Sequence, residues 1–448
     1  MELDLVVTPG LGDNSYLLTS GREAVVVDPQ RDVDRLLSAA NARDARIRAV
    51  LETHVHNDYV SGAAEVRSAT GAEIVGPAGA GYRFAFRALE EGDEILVGDL
   101  RVVALATPGH TTEHTSYAAY PPGAQAPVAV FSGGSLIVGS AGRTDLLGAD
   151  RAEELARAQH GSVRRFLELP DETLLLPTHG AGSFCASGPP SEDRTSTVGR
   201  ERASNPALRA PDEATFVREQ LADLPAFPAY YAHMAPINRA GPPVLGGVPE
   251  LRPLSPAELR SMLAGGTRLV DAREGAAFAQ AHVTGSLNIP LEDSFCSYVG
   301  CLVPFGTPIV VIAPDAPARS EIATQLFRIG FDVHGYLDGG IDAWATTGGS
   351  VSSYPVATLD DLVAAVPDRI LDVRQRTEWE AGHLPGSRHR FIGDLPEHLP
   401  ELLRAGETLV TCASGYRASM AASLLDAAGG AVRVVADGGV QDALAREP

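Results

Sequence analysis

In the first half of the chain, polar residues cluster at the ends of short apolar runs. "AVVVDP" (Ala24–Pro29) is an apolar strand that ends at Asp28. "IRAVLETHVHNDYVSGAAEVRSA" reads as a strand, a polar loop and a helix. "RVVALATPGHTTEH", "PVAVFSGGS" and "ETLLLPTHGAGS" repeat the strand-then-loop order. Such loops can meet at one edge of a sheet although they lie far apart in sequence. Between residues 224 and 253 this pattern breaks. The segment is dense in Pro and Gly and shows no sustained helical period, which predicts an ordered linker or docking segment packed down by Phe227, Tyr230 and Tyr231.

The remainder repeats itself. "LVDAREGAAFAQAHVTGS" (Leu269–Ser286) matches "ILDVRQRTEWEAGHLPGS" (Ile370–Ser387). Asp271, Arg273, Phe278, His282, Gly285 and Ser286 recur as Asp372, Arg374, Trp379, His383, Gly386 and Ser387. A period of about 100 residues is too long for a solenoid and indicates a duplicated domain. Each copy alternates strand and helix, which predicts a small α/β domain with a parallel sheet. The expected division is residues 1–223, a linker at 224–253, one copy at 254–350 and another at 355–448.

Composition narrows the function. A chain of 448 residues is too long for one hydrophobic core. The formal net charge of −21 repels phosphate backbones and anionic membranes, which argues against nucleic-acid and membrane-surface binding. There is no long apolar run, and the start "MELDLVV" is acidic, so neither a span nor a signal peptide is expected and a cytoplasmic location is. Four cysteines (Cys185, Cys296, Cys301 and Cys412) are too few for a disulfide scaffold and lack zinc-type CxxC spacing. The expectation is one exposed, reactive thiol and three packing residues.

That thiol is Cys412. In "LVTCASGYRASMAASLL" (Leu409–Leu425) an apolar strand delivers it into a tight loop, Ala413, Ser414, Gly415 and Tyr416, and a helix begins near Arg417. Backbone N–H groups, the helix N-terminus and the Arg417 charge all favour thiolate over thiol. A thiolate so held can attack a sulfane sulfur and keep it as a persulfide. Both copies resemble rhodanese domains, and by that resemblance Cys412 carries the transferred sulfur. The first copy reads "IVVIAPDAPARSEIA" at the equivalent strand end, with Ala313 and Pro314 and no cysteine. It is expected to be a scaffold or docking domain. The Asp, Arg and His that recur with or without the cysteine point to structural hydrogen bonding.

The first half offers five candidate metal ligands, each after an apolar strand: His54, His56, Asp58, His110 and His179. With "TPGH", "GRTDLLG" and "PTHGAGSFC", these loops resemble the metallo-β-lactamase fold, an αββα sandwich with metals at one edge. The whole chain is similar to persulfide dioxygenase–rhodanese fusions. That resemblance implies a non-haem Fe(II) held by two histidines, matched by His54 and His110, and one aspartate. At the aspartate position stands Gly134, a lost ligand, and the other usual histidine of the motif is Tyr59. On sequence alone, Gly134→Asp would complete the site. Asp58 or His179 completing a shifted site, a water, substrate thiolate or anion filling the gap, and a metal-free domain all stay open. So do zinc in place of iron, a thioester-type hydrolase, and a non-enzymatic sulfur carrier or sensor. The expected partners are a low-molecular-weight thiol persulfide or thiosulfate, and the chain is expected to form a homo-oligomer.

Overall fold

The computed structural model describes residues 1–188, 191–222 and 224–446; the expected boundary residues 223 and 448 lie outside them. The chain divides into two compact units. The first comprises Met1–Leu224, Tyr231–Val248 and Arg328–Gly330. The second comprises Pro225–Tyr230, Pro249–Phe327 and the chain from Phe331 onward.

The first unit is built on two six-stranded sheets. One runs Glu2–Thr8, Asp13–Ser20, Glu23–Val27, Arg46–Leu51, Glu73–Pro77, Arg87–Leu89 in spatial order. The other runs Ser196–Thr197, Leu174–Pro177, Ala129–Gly133, Thr115–Tyr120, Leu100–Ala106, Glu94–Val97. Successive side chains on a strand point to opposite faces, and here both faces are apolar. Leu18, Val25, Leu51 and Val75 pack between the sheets against Val102, Tyr117, Phe131 and Leu176. Their neighbours Leu17, Val26, Val50 and Ile74 face the other way, onto Leu36 and Val66 of the helices Asp34–Ala42 and Ala63–Thr70. On the far side Val130 and Leu175 meet Ala156 and Val163 of the helix Ala152–Arg165, and Phe216 of Glu213–Leu221. Each fully buried Val, Leu or Phe contributes about 1.5–3 kcal/mol. The result is the expected αββα sandwich, with the polar loops at one edge.

The second unit holds two five-stranded parallel sheets. The first copy orders its strands Pro253–Leu254, Val333–Leu337, Ile309–Ile312, Arg268–Asp271, Leu287–Asn288. The second orders Val356–Ala357, Val432–Val435, Thr408–Thr411, Ile370–Asp372, Arg388–His389. The recurring Asp–Arg pair and the histidine Nδ1 make matching bonds in both. Arg273 grips both oxygens of Asp271 and donates to the Ala281 carbonyl at 2.9 Å. Arg374 does the same with Asp372 and the Gly382 carbonyl, at 2.8 Å. His282 stacks on Phe278 and bonds its carbonyl, and His383 stacks on Trp379 and bonds its carbonyl. These bonds are consistent with the structural hydrogen bonding expected from the repeat.

One expectation is corrected. The segment read as an ordered linker or docking segment without a helical period contains the helix Tyr231–Ala240, which buries Tyr231, Met234, Ala235 and Asn238. Those positions follow a helical i, i+3, i+4, i+7 stripe, hidden in the sequence by flanking Pro and Gly and by Pro236 within the helix. Among the described residues no helix is long and apolar enough to cross a membrane.

Candidate functional site

At the loop edge of the first unit, Asp28 ends the strand Glu23–Val27 with φ +47°, a left-handed conformation that aspartate tolerates better than most residues. Its carboxylate accepts from the Thr53 N–H and hydroxyl, each at 2.7 Å, and from the Thr178 hydroxyl. It thereby ties the loop after Arg46–Leu51 to the loop after Leu174–Pro177. Asn238 clamps the first of these from the helix Tyr231–Ala240. Its amide donates to the carbonyls of His56 and Tyr59 and accepts from the Ser61 N–H, all at 2.9 Å.

Three histidines converge on one point. His54 places Nδ1 2.8 Å from the Thr53 hydroxyl, His110 donates Nδ1–H to the Arg143 carbonyl at 2.8 Å, and His179 places Nδ1 2.9 Å from an Asp13 oxygen. The Nε2 atoms of His54 and His179 stand 3.3 Å apart. His110 Nε2 is buried with no hydrogen-bond partner among the described residues. The ring centroids of the trio lie 4.9–5.3 Å apart. All three side chains are buried. Burial first, and then the neighbouring imidazoles, hold His54 and His110 well below the ordinary histidine range; burial also lowers His179. Neutral rings with tethered Nδ1 atoms and convergent Nε2 atoms suit a metal ion, whose outer partners fix the ligand tautomers.

His56 takes another part. Its Nε2 lies 3.3 Å from both Asp28 and Glu52 and 3.0 Å from the Tyr59 hydroxyl. Burial alone would lower its pKa, but those carboxylates outweigh burial and hold it well above the ordinary range. His56, expected as a metal ligand, lies beside two carboxylates here. It also belongs to two further possible ligand groups, one with Asp28 and His54 and one with Asp58 and His179, the ligand atoms of each lying within 4.8 Å of one another. Asp58 lies 3.4 Å from His179 Nδ1. Burial, then the Asp13 carboxyl, push Asp58 up to about 7.

Gly134 borders the trio, but its side-chain space is taken: a Cβ there would lie 2.2 Å from His110 Cδ2. Its N–H donates to His114 Nε2 at 2.9 Å, and His114 Nδ1 meets the Thr107 hydroxyl at 2.9 Å. Burial pushes His114 down to about 3. The sequence reading missed Asp13, Thr53 and Asn238 altogether. Only Asp28, closing an apolar strand, carried a visible signal.

In the second unit the strand Thr408–Thr411 delivers Cys412 to the mouth of the helix Tyr416–Ala427. The Gly415 N–H donates to Cys412 Sγ at 3.2 Å. Gly415 has φ +92°, and a Cβ there would lie 2.3 Å from the Ala436 carbonyl oxygen, so the turn requires glycine. Ala413 and Ser414 are exposed at the rim, whereas the thiol is 1% exposed. All four cysteines are buried, which corrects the expectation of an exposed thiol. A strand end tucked under its own loop buries the sulfur while the loop faces out. Arg417 also differs from expectation. Its guanidinium pairs with both oxygens of Glu378 at 2.5 and 2.7 Å, so its charge reaches the sulfur as half of an ion pair. The Tyr416 hydroxyl donates to the Pro290 carbonyl at 3.1 Å, and its ring meets Tyr298 edge-on at 5.6 Å, so the first copy braces the loop. Cys296 and Cys301 lie buried on the helix Phe295–Leu302, and burial pushes Cys301 up to about 12.

Comparison with known proteins agrees with this geometry. Residues 8–179 match the metallo-beta-lactamase superfamily, and residues 255–347 and 356–444 each match the rhodanese-like domain. A hydroxyacylglutathione hydrolase of Fuscovulum blasticum is 33% identical over 240 residues, 47% of this chain and 89% of that protein. A solved metallo-beta-lactamase from Staphylococcus aureus subsp. aureus COL is 29% identical and superposes with a TM-score of 0.68, over 75% of this chain and 98% of that one. ETHE1 from Myxococcus xanthus is 29% identical, with a TM-score of 0.47, over 54% of this chain and 99% of that one. The chain belongs to the metallo-beta-lactamase superfamily and continues, after that domain, into two rhodanese-like domains.

Proposed function

We propose that this protein handles sulfane sulfur, taking it up on Cys412 and passing it to an acceptor thiol. The observation that carries this reading is the Gly415 N–H aimed at Cys412 Sγ at 3.2 Å, where a central strand meets a helix N-terminus. A backbone donor and the positive helix end favour the sulfur anion. The Cys412 thiolate attacks the outer sulfur of a persulfide or thiosulfate. The donor S–S bond breaks, and its electron pair leaves on a thiolate or on sulfite. The sulfur held on Cys412 is then attacked by an acceptor thiolate, which returns Cys412 to its starting state with no net redox change. Exposed Ala413 and Ser414 form the entry, and the Arg417–Glu378 pair and Tyr416 hold the loop in shape.

The first domain is assigned to the same class of sulfur compound, as a metal-binding partner in which His54, His110 and His179 hold the ion. When bound, an ion there would act as a Lewis acid toward a substrate sulfur or oxygen. A second reading, hydrolysis of a thioester, is favoured by the 33% identity to a hydroxyacylglutathione hydrolase. Iron in a one-to-one ratio with oxygen uptake on a persulfide would support oxidation; two zinc ions with thioester cleavage would support hydrolysis.

For the transfer itself, Cys412→Ser in the full chain should keep its circular dichroism and melting temperature. It should lose sulfur transfer from thiosulfate or glutathione persulfide to cyanide. In the parent, the Cys412 peptide should gain the mass of one sulfur atom. Transfer surviving in the serine variant would sink the assignment.

A further inference from the structure

We propose that Glu378 sets the sulfur donor used at Cys412: it occupies Arg417, the one charged residue of the loop Cys412–Arg417, and so favours organic persulfides over thiosulfate. This inference rests on the transfer proposed above and narrows its donor. The chain carries its own control. The strands Ile309–Ile312 and Thr408–Thr411 end at Ala313 and Cys412. Counting on equally from each puts Ala318 where Arg417 stands. In the repeat, Ala277 precedes Phe278 as Glu378 precedes Trp379. The Asp–Arg frame is present in both copies, but the Glu378–Arg417 pair stands only in the copy with the thiol. A pair that accompanies the thiol, and that the same frame does without elsewhere, belongs to the chemistry at Cys412.

A guanidinium grips an oxyanion through two parallel N–H bonds. Both terminal nitrogens of Arg417 are already committed to the two oxygens of Glu378, at 2.5 and 2.7 Å. The Glu378 carboxylate also accepts from the Gln375 N–H at 3.0 Å, which fixes it at the start of the helix Arg376–Ala381. Burial opposes its charge, but Arg417 and then that N–H outweigh burial and hold the carboxyl below the ordinary range. Ala413, Ser414, Gly415 and Tyr416 bring no charge of their own. From the first copy, the charge acting on Tyr416 is a carboxylate, Glu292. Attack on thiosulfate gathers three negative charges, one on the thiolate and two on the donor. The outer sulfur moves to Cys412, the S–S bond breaks, and sulfite leaves with the electron pair. Attack on a persulfide with an uncharged body gathers two charges at most, and a thiolate leaves. With its guanidinium neutralised, the loop has no side chain to offset the additional charge of thiosulfate.

The test uses the full chain and follows sulfur loading on the Cys412 peptide by mass, against the concentration of each donor. The donors are thiosulfate and 2-hydroxyethyl persulfide. In the parent, the second-order loading constant should be about ten-fold or more higher for the persulfide. That comparison does not depend on any variant folding. Glu378→Gln keeps the side-chain shape and an acceptor for the Gln375 N–H, and it frees the guanidinium. The ratio of the thiosulfate constant to the persulfide constant should then rise about ten-fold, through half-saturation at lower thiosulfate, and added salt should reduce the gain. Combining Glu378→Gln with Arg417→Gln should return the ratio to that of the parent. Loosening of the loop alone would slow both donors and leave the ratio unchanged. A parent that takes thiosulfate as readily as the persulfide would overturn the inference. So would an unchanged ratio in folded Glu378→Gln, or a raised ratio that persists without Arg417; in each of these cases transfer by Cys412 still stands. A parent that loads sulfur from neither donor would overturn the transfer reading, and this inference with it.

Discussion

Gly134 shows how a single position can be read correctly in sequence and still mislead. The motif places it beside the candidate metal ligands, and the structure brings it next to His110. What the motif cannot show is that the His110 ring occupies the room an aspartate would use, with Cδ2 2.2 Å from where a Cβ would stand. Gly134→Asp is therefore expected to displace His110 and to weaken Co2+ binding by about ten-fold or more, although sequence alone argues for a gain. Tighter binding in a folded variant would show that the ring gives way easily and that the carboxylate takes its place. His54, His110 and His179 were legible because each follows an apolar strand. Their anchors Thr53 and Asp13 were not, because one hydroxyl or carboxylate among many carries no spacing that marks it. Cys412 was legible from its loop; its burial was not, because burial depends on how the strand end sits beneath that loop.

Among elements, the repeated frame was the most readable and the helix Tyr231–Ala240 the least. The frame rests on Asp271–Arg273 and Asp372–Arg374, both bidentate and each also reaching one backbone carbonyl. Breaking a buried pair by removing one charge costs about 3–5 kcal/mol, mostly from the charge left behind. Asp372→Asn should approach that loss in chemical denaturation. Asp271→Asn, whose Arg273 side chain is 19% exposed against 2% for Arg374, should lose less. Equal, negligible losses would remove the structural role assigned to both. The helix was missed for a different reason: its apolar stripe covers only about three turns, and Pro236 and the surrounding prolines and glycines mask the period. Its Asn238 reaches loop residues far away in sequence, a long-range pairing that local pattern does not encode.

For the molecule as a whole, the two proposed sites fall in different compact units, and no residue of one is assigned to the other. Removing metal should therefore separate them. A chelator is expected to lower the melting temperature associated with the metallo-beta-lactamase domain, since an ion bound only by the folded state adds stability by mass action. Sulfur transfer from thiosulfate through Cys412 should remain within experimental error of the untreated protein. Loss of transfer on chelation, followed by recovery on adding metal, would show that the ion acts in the Cys412 step. The two parallel-sheet domains were legible from the repeat and its alternation of strand and helix, whereas the αββα sandwich was legible only through the resemblance of its loop motifs to a known fold, because alternation alone does not set strand order. The limits of the first unit were less so, since it draws in Tyr231–Val248 from beyond its expected end.

The shared frame has a consequence for tracing ancestry. The Asp–Arg pair and the stacked histidine stand in both copies, beside Cys412 in one and beside Ala313 and Pro314 in the other. A census of genomes that counts sulfurtransferases by that frame would score this chain twice. Scored by the six positions that begin at Cys412, it counts once, because the other copy has the frame and no cysteine at that strand end.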